Sequence, residues 1–234
     1  MRDGPRVIGS RVLLALVVSV TAGPSCSSDE RAGCDWEPGP HTVEVDGVQR
    51  RYEVTVEDPD GPVVLSLHGA LGNPEAFETS TGVAAASRGV VITPAAHGLW
   101  WRHRDEQSAD VDFLGGLLCG DDVHAVGFSS GGMMALRLAC DGLVASAVVV
   151  DGMVDLEPCD EHPPVLAIHG RRDDTIGWDG RMDPEVVALV GYRRGPTVPE
   201  LVEAWGPAEL ITHDGGHVWP DEATAEAWDY IEDH

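Results

Sequence analysis

The sequence predicts an α/β fold, a mostly parallel central sheet with helices on both faces. Three observations predict it. Short apolar runs alternate with helix-patterned segments through the centre of the chain. Two of those runs, residues 62–67 and 164–168, are apolar almost without a break, as strands buried on both faces must be. A serine flanked by glycines stands where a third run, ending at Val126, gives way to a helical pattern.

The elements follow in order. Residues 41–45 and 50–56 read as paired strands around Asp46-Gly47, with alternation at Tyr52, Val54 and Val56. Further strands are predicted at 62–67, 89–93, 123–126, 143–150, 164–168 and 209–212. Helices are predicted at 74–87, 109–118, 130–140, 198–205 and 221–233. With 234 residues and no repeat or low-complexity tract after residue 33, one catalytic-sized domain over 41–234 is expected. The segment 183–198 is short and leaves room for only a minimal lid. Parallel sheets of this kind place their sites at the carboxyl ends of the strands, so the residues just after each strand matter most.

Gly127-Phe128-Ser129-Ser130-Gly131 fits G-x-S-x-G between a strand and a helix. That setting is a nucleophile elbow, and it predicts the α/β-hydrolase fold with Ser129 as nucleophile. A serine hydroxyl needs a base, and the base needs an orienting acid. In this fold the acid and then the histidine follow the serine along the chain. After the strand ending at Ile168 come Asp173 and Asp174, either of which sits where the acid belongs. After the last strand, Gly215-Gly216 leads into His217, the expected base. His213 is its rival, at the strand end rather than on the flexible turn. The other histidines, His68 among them, read as structural or surface residues. An oxyanion hole needs two backbone N–H donors. One is assigned to Ser130; the other to Ala70 in the loop after 62–67, with Gly69 and Leu71 as alternatives. There is no metal-ligand spacing and no dinucleotide fingerprint, so neither metal nor cofactor is expected.

Net charge is −25, with 40 acidic residues against 15 basic ones, all Arg. Such a surface repels phosphate backbones, so nucleic acid is excluded as a partner. At the start, Arg2, Arg6 and Arg11 precede an apolar run from Val12 to Val20. This reads as a signal peptide over 1–25. Cys26 then resembles a lipoprotein processing site, although Gly23-Pro24-Ser25 departs from the usual approach; residues 26–40 would be a tether. Any membrane association would run through that lipid, and the domain is expected to be a monomer. Export implies an oxidising compartment. Cys34, Cys119, Cys140 and Cys159 allow three pairings, and sequence does not choose among them. The preferred one is Cys140–Cys159 with Cys34–Cys119.

The stretches PVVLSLHGALGN at 62–73, GFSSGGMMALRLAC at 127–140, PVLAIHGRRDDTIGWDG at 164–180 and GGHVWP at 215–220 carry a family resemblance. The chain resembles the secreted esterases grouped with polyhydroxybutyrate depolymerases and feruloyl esterases, some of which are lipoproteins. The resemblance implies a triad of Ser129, Asp173 and His217, its HG-x-x-D spacing falling on Asp173. It also implies that Trp219 lines the substrate pocket and that Trp101 faces the cleft. The chain departs at Ser130, where the family commonly has Asn, and at Asp174 and Thr175. The expected activity is hydrolysis of hydroxyalkanoate oligomers, feruloyl or other small esters through an acyl-enzyme. The alternatives are a peptidase or acetyl-xylan esterase on the same fold, or a non-catalytic surface lipoprotein binding polysaccharide or a protein partner.

Overall fold

A computed structural model of the chain describes residues 34–234 except 35, 106, 121, 157 and 191–194. The expected signal peptide and Cys26 lie outside the described residues. Eight strands form one sheet, β1 (Gly39–Val45), β2 (Val48–Val56), β3 (Val63–Leu67), β4 (Val90–Pro94), β5 (Val123–Phe128), β6 (Ser146–Val150), β7 (Val165–Gly170) and β8 (Ala208–His213). The helices are α1 (Pro74–Thr81), α2 (Ala109–Gly115), α3 (Ser130–Cys140), α4 (Pro184–Val190), α5 (Val198–Trp205) and α6 (Ala223–Glu232).

The strand order is β1-β2-β4-β3-β5-β6-β7-β8. β1, β2 and β4 pair antiparallel, and every pair from β4 through β8 is parallel. The continuous apolar runs are explained by this position. In β3, β4, β6 and β7 every residue is buried, because both faces are covered. Alternate residues serve opposite layers. Leu65, Ala147, Val149 and Ala167 pack with Met133, Leu136, Phe113 and Trp205 of α2, α3 and α5. Val64, Val148, Val150 and Ile168 pack with Trp228 and Ile231 of α6.

Several boundaries differ from the sequence reading, each for a local reason. α1 stops at Thr81 rather than 87, because Gly82 takes a left-handed conformation and its N–H caps Glu78. β6 begins at Ser146 rather than 143. Gly142, at φ 66°, ends α3, and Leu143 N–H reaches back to the Leu138 carbonyl, so those residues belong to a helix terminus. α4 was not expected at all; it forms inside the short segment read as a minimal lid.

Both preferred disulfides are present. Cys34–Cys119 joins the start of the described chain to the loop after α2, with Cα atoms 5.9 Å apart. Cys140–Cys159 ties the end of α3 to the loop after β6, with Cα atoms 4.8 Å apart. Disulfides persist in oxidising compartments, which fits an exported protein. No helix among the described residues is long and apolar enough to cross a membrane.

One buried ion pair fastens the antiparallel end of the sheet. The Arg50 guanidinium on β2 lies 2.6 Å from Asp110 on α2, with both side chains almost wholly buried. Arg50 also donates to the Ala95 and Ala109 carbonyls and stacks 4.1 Å above the Phe113 ring. Removing the cation would leave Asp110 buried without its partner. Arg50→Met is therefore expected to lower the free energy of unfolding by about 3–5 kcal/mol in urea titrations. A loss below about 1 kcal/mol would show that the pair carries no such constraint.

Candidate active site

Five loops at the carboxyl end of the parallel sheet build the site. Ser129 follows β5 with φ 53° and ψ −119°, a conformation L-residues rarely adopt. The turn is possible because the residues two positions to either side, Gly127 and Gly131, lack side chains. A methyl at Gly127 would overlap the Gly131 carbonyl, and one at Gly131 would overlap the Leu67 carbonyl at the end of β3. The Ser129 N–H is held by the Val150 carbonyl of β6 at 2.9 Å. Ser129 stands at the helix-capping position of α3, yet its side chain makes no capping bond. Its hydroxyl is instead 2.9 Å from His217 Nε2.

His217 Nδ1 lies 2.8 Å from Asp173 Oδ2. With the proton on Nδ1, the imidazole donates to Asp173 and accepts from the Ser129 hydroxyl. Asp173 is buried, and its Oδ1 accepts the N–H groups of Thr175 at 2.8 Å and Ile176 at 2.9 Å. Burial pushes its carboxyl up, but the bond from His217 and that residue's charge, with the two N–H donors, outweigh burial and hold it below the usual carboxylate range. Asp174 is exposed and takes no part in this chain of bonds. His213 accepts from the Gly215 N–H at 3.1 Å and bends the loop that delivers His217.

The loop after β3 is ordered by His68, read from sequence as merely structural or surface. The His68 ring is buried and kept neutral, burial lowering its pKa. Its Nδ1–H donates to the Gly69 carbonyl at 2.7 Å, and its Nε2 accepts the Ala96 N–H at 3.2 Å. The Gly72 N–H binds the same Gly69 carbonyl. In a trans peptide the C=O and N–H point in opposite directions, so fixing the Gly69 carbonyl also fixes the direction of the Ala70 N–H. Leu71 drops out of the three sequence candidates, since its N–H is bound to the Leu99 carbonyl at 2.6 Å. Ser130, the first residue of α3, contributes an N–H from the helix terminus.

The two tryptophans part ways. Trp219 is half-buried beside Phe128, with ring centroids 6.5 Å apart, and Phe128 lies 4.9 Å from the His217 ring. Trp219 therefore flanks the site. Trp101 does not face the cleft, contrary to expectation. It is fully buried, and its indole N–H donates to the His68 carbonyl at 2.9 Å. A ring that size finds more apolar contact in the core than at the cleft, and the His68 carbonyl satisfies its one donor. Its role is to brace the β3 loop from behind.

Asp151, directly after β6, was missed. It is fully buried at φ 46°. Oδ1 accepts the Gly170 N–H at 2.8 Å and Oδ2 accepts the Val218 N–H at 3.0 Å. Burial first, and then the charge of Asp173, push its carboxyl up to about 7 despite these bonds. His169 binds the Ile176 carbonyl through Nε2, which leaves Nδ1 as a buried lone pair 3.7 Å from Asp151 Oδ1. The sequence signal was available, since Asp151 obeys the same strand-end rule that selected Asp173 and His217. Asp151, His169 and Asp173 place ligand atoms within 4.8 Å of one another. Both carboxylates already face N–H donors, which repel a cation, so the cluster suits a histidine partner better than a metal.

The chain is similar to "Putative esterase NocK" from Nocardia uniformis subsp. tsuyamanensis, at 36% identity over 149 residues. The match takes in 52% of this chain and 43% of that protein, so less than half of the relative's length is spanned. Among solved structures, esterase PE8 superposes with a TM-score of 0.55 at 20% identity, covering 78% of this chain and 96% of that one. A ferulic acid esterase superposes with a TM-score of 0.58 at 15% identity, over 82% and 96%. No family model matches the chain. The fold is the α/β-hydrolase fold.

The raised pKa of Asp151 has a consequence for stability. Its value in the folded chain lies above the ordinary 3.8, so the fold favours the protonated form. That contribution is complete below about pH 3.8 and is lost as the pH rises through about 7. Asp173, held low, titrates beneath this window. Between pH 4 and 7 the stability of wild type is thus expected to fall relative to that of Asp151→Asn, which cannot ionise, the buried histidines that gain stability over the same range being common to both. Urea unfolding of both at the two pH values measures the difference; equal pH dependence would contradict the assignment.

Proposed function

We propose that the protein is a serine-dependent carboxylic ester hydrolase that works through an acyl-enzyme. The observation that carries this reading is the unbroken line of hydrogen bonds from the Ser129 hydroxyl through His217 to the buried Asp173 carboxylate. Ser129 attacks the ester carbonyl as His217 Nε2 takes its proton. Asp173 orients the ring and stabilises the imidazolium that forms. The N–H groups of Ser130 and Ala70 receive the oxyanion. The tetrahedral intermediate expels the alcohol, which takes its proton from His217. Water, deprotonated by His217, then releases the acid and restores Ser129. No step calls for a cofactor.

The surroundings favour a neutral, apolar ester. Leu71, Leu99 and Val218 are 75%, 56% and 49% exposed, and they lie on the loops after β3, β4 and β8 that frame the site. Phe128 and Trp219 continue that apolar wall. A net charge of −25 disfavours anionic substrates. The names of the relatives, an esterase and a ferulic acid esterase among them, agree with ester chemistry. Within that class, hydroxyalkanoate oligomers and feruloyl esters are the substrates that the sequence motifs favour.

A panel of p-nitrophenyl butyrate, a feruloyl ester, hydroxybutyrate oligomers and a peptide tests the reading. Hydrolysis of the esters but not the peptide is expected. Ser129→Ala should lower kcat/KM by roughly 10⁴-fold or more. Ester turnover that survives this substitution would refute the proposal.

A further inference from the structure

We propose that Asp151 is a positioning residue of this site and also its reserve acid. From the end of β6 it fixes the loop that carries His217, and it pairs with His217 when Asp173 is lost. The inference rests on the ester-hydrolase reading above.

The geometry of one carboxylate carries the first half. Asp151 Oδ2 grips the N–H of Val218, the residue directly after His217. Oδ1 grips the N–H of Gly170, at the end of the strand that leads to Asp173. The main chain adds a third tie, since the Asp151 N–H binds the Ile168 carbonyl at 2.9 Å. Asp151 thus joins the β7 loop, which supplies the acid, to the β8 loop, which supplies the base. It is also anchored against the elbow. A side chain at Gly152 would run into the Ser129 carbonyl, so residues 151–152 lie hard against the turn that holds the nucleophile. The loop carrying His217 contains two glycines and is partly exposed, so backbone grips of this kind decide where the imidazole sits. Non-glycine residues at positive φ cost energy, and Asp151 holds one such conformation.

The second half rests on distance. Asp151 Oδ2 is 4.0 Å from His217 Nδ1, on the same nitrogen that Asp173 engages at 2.8 Å. The gap is about an ångström beyond hydrogen-bond range. The Asp151 side chain is completely buried, so water does not compete for it there. After burial, the charge of Asp173 is the other cause that raises the Asp151 carboxyl. Deleting Asp173 would therefore vacate Nδ1 and favour the ionised form of Asp151, the form that can receive the Nδ1 proton. A small shift of the imidazole then restores an acid–histidine pair.

Wild type, Asp151→Asn, Asp173→Ala and the double variant are compared by p-nitrophenyl butyrate kinetics and by the rate of fluorophosphonate labelling. Asp151→Asn should lower kcat about tenfold with KM within about twofold, because the base moves while the substrate contacts remain. A residue that only supported the fold would lower the amount of folded protein instead, leaving kcat per labelled site unchanged. Asp173→Ala should keep residual turnover, and adding Asp151→Asn should lower it by at least about 100-fold more, beyond simple additivity. Wild-type kcat in Asp151→Asn overturns the positioning role, and an additive double variant overturns the reserve role. If Asp151→Asn does not fold, Asp173→Ala is set against His217→Ala. A reserve acid requires Asp173→Ala to be at least about 10³-fold the more active, beyond the roughly 10²-fold by which loss of the histidine ordinarily exceeds loss of the acid, and a smaller ratio overturns it. A wild type that is neither labelled nor active overturns the ester-hydrolase reading and this inference together. A labelled, active wild type with either negative result overturns this inference alone.

Discussion

Ser129 is held at φ 53° and ψ −119°, a conformation that costs an L-residue on the order of 1–3 kcal/mol, and the surrounding elements are arranged to keep it there. β5 ends in Gly127-Phe128 and α3 begins at Ser130, so one residue must reverse the chain. The close approach of Gly131 to the β3 carbonyls requires that no side chain intervene. β6 contributes the Val150 carbonyl that receives the Ser129 N–H. The parallel register of β3, β5 and β6 is what brings these parts to one level. The strain leaves the hydroxyl pointing out of the turn, free of helix capping, and so available to His217.

The charged groups around that hydroxyl are sorted by burial. Asp173 and Asp151 are both buried and both near His217, and burial acts to push each carboxyl up. Asp173 receives the His217 bond and two N–H donors on one oxygen, which hold it ionised. At Asp151 burial and the negative charge of Asp173 outweigh the two N–H donors, one on each oxygen, and raise the carboxyl to about 7. Two carboxylates in one small space are thus shifted in opposite directions, Asp151 up and Asp173 down. The neutral His68 plays the matching part on the other side of Ser129. It fixes a peptide plane rather than a charge, and Trp101 holds the loop behind it.

Much of this was legible in the sequence, and the omissions have physical reasons. Strands such as β3 and β7 announce themselves because burial on both faces demands an unbroken apolar run. Ser129, Asp173 and His217 each follow a strand in the order the fold requires, and the structure brings those three side chains into hydrogen-bond contact. α4 escaped notice because one or two turns of helix leave little periodicity to read, even though Asp183 stands before Pro184 and its Oδ1 accepts the Glu185 N–H at 2.7 Å. Trp101 was misplaced because an aromatic residue beside a cleft loop has the same pattern whether its ring turns inward or outward. Asp151 was passed over among 40 acidic residues, since only tertiary structure reveals which carboxylates lose their water. His68 was undervalued for a related reason, because its bonds go to backbone atoms that carry no sequence signature.

The central claim is that Ser129 is a nucleophile activated by His217. Incubating the folded protein with a fluorophosphonate, then locating the adduct by intact mass and peptide mapping, tests it most directly. One phosphonyl group per chain, on Ser129, formed in the native protein and absent after acid denaturation, is the predicted result. No adduct, or an adduct on another residue with Ser129 untouched, would contradict the account.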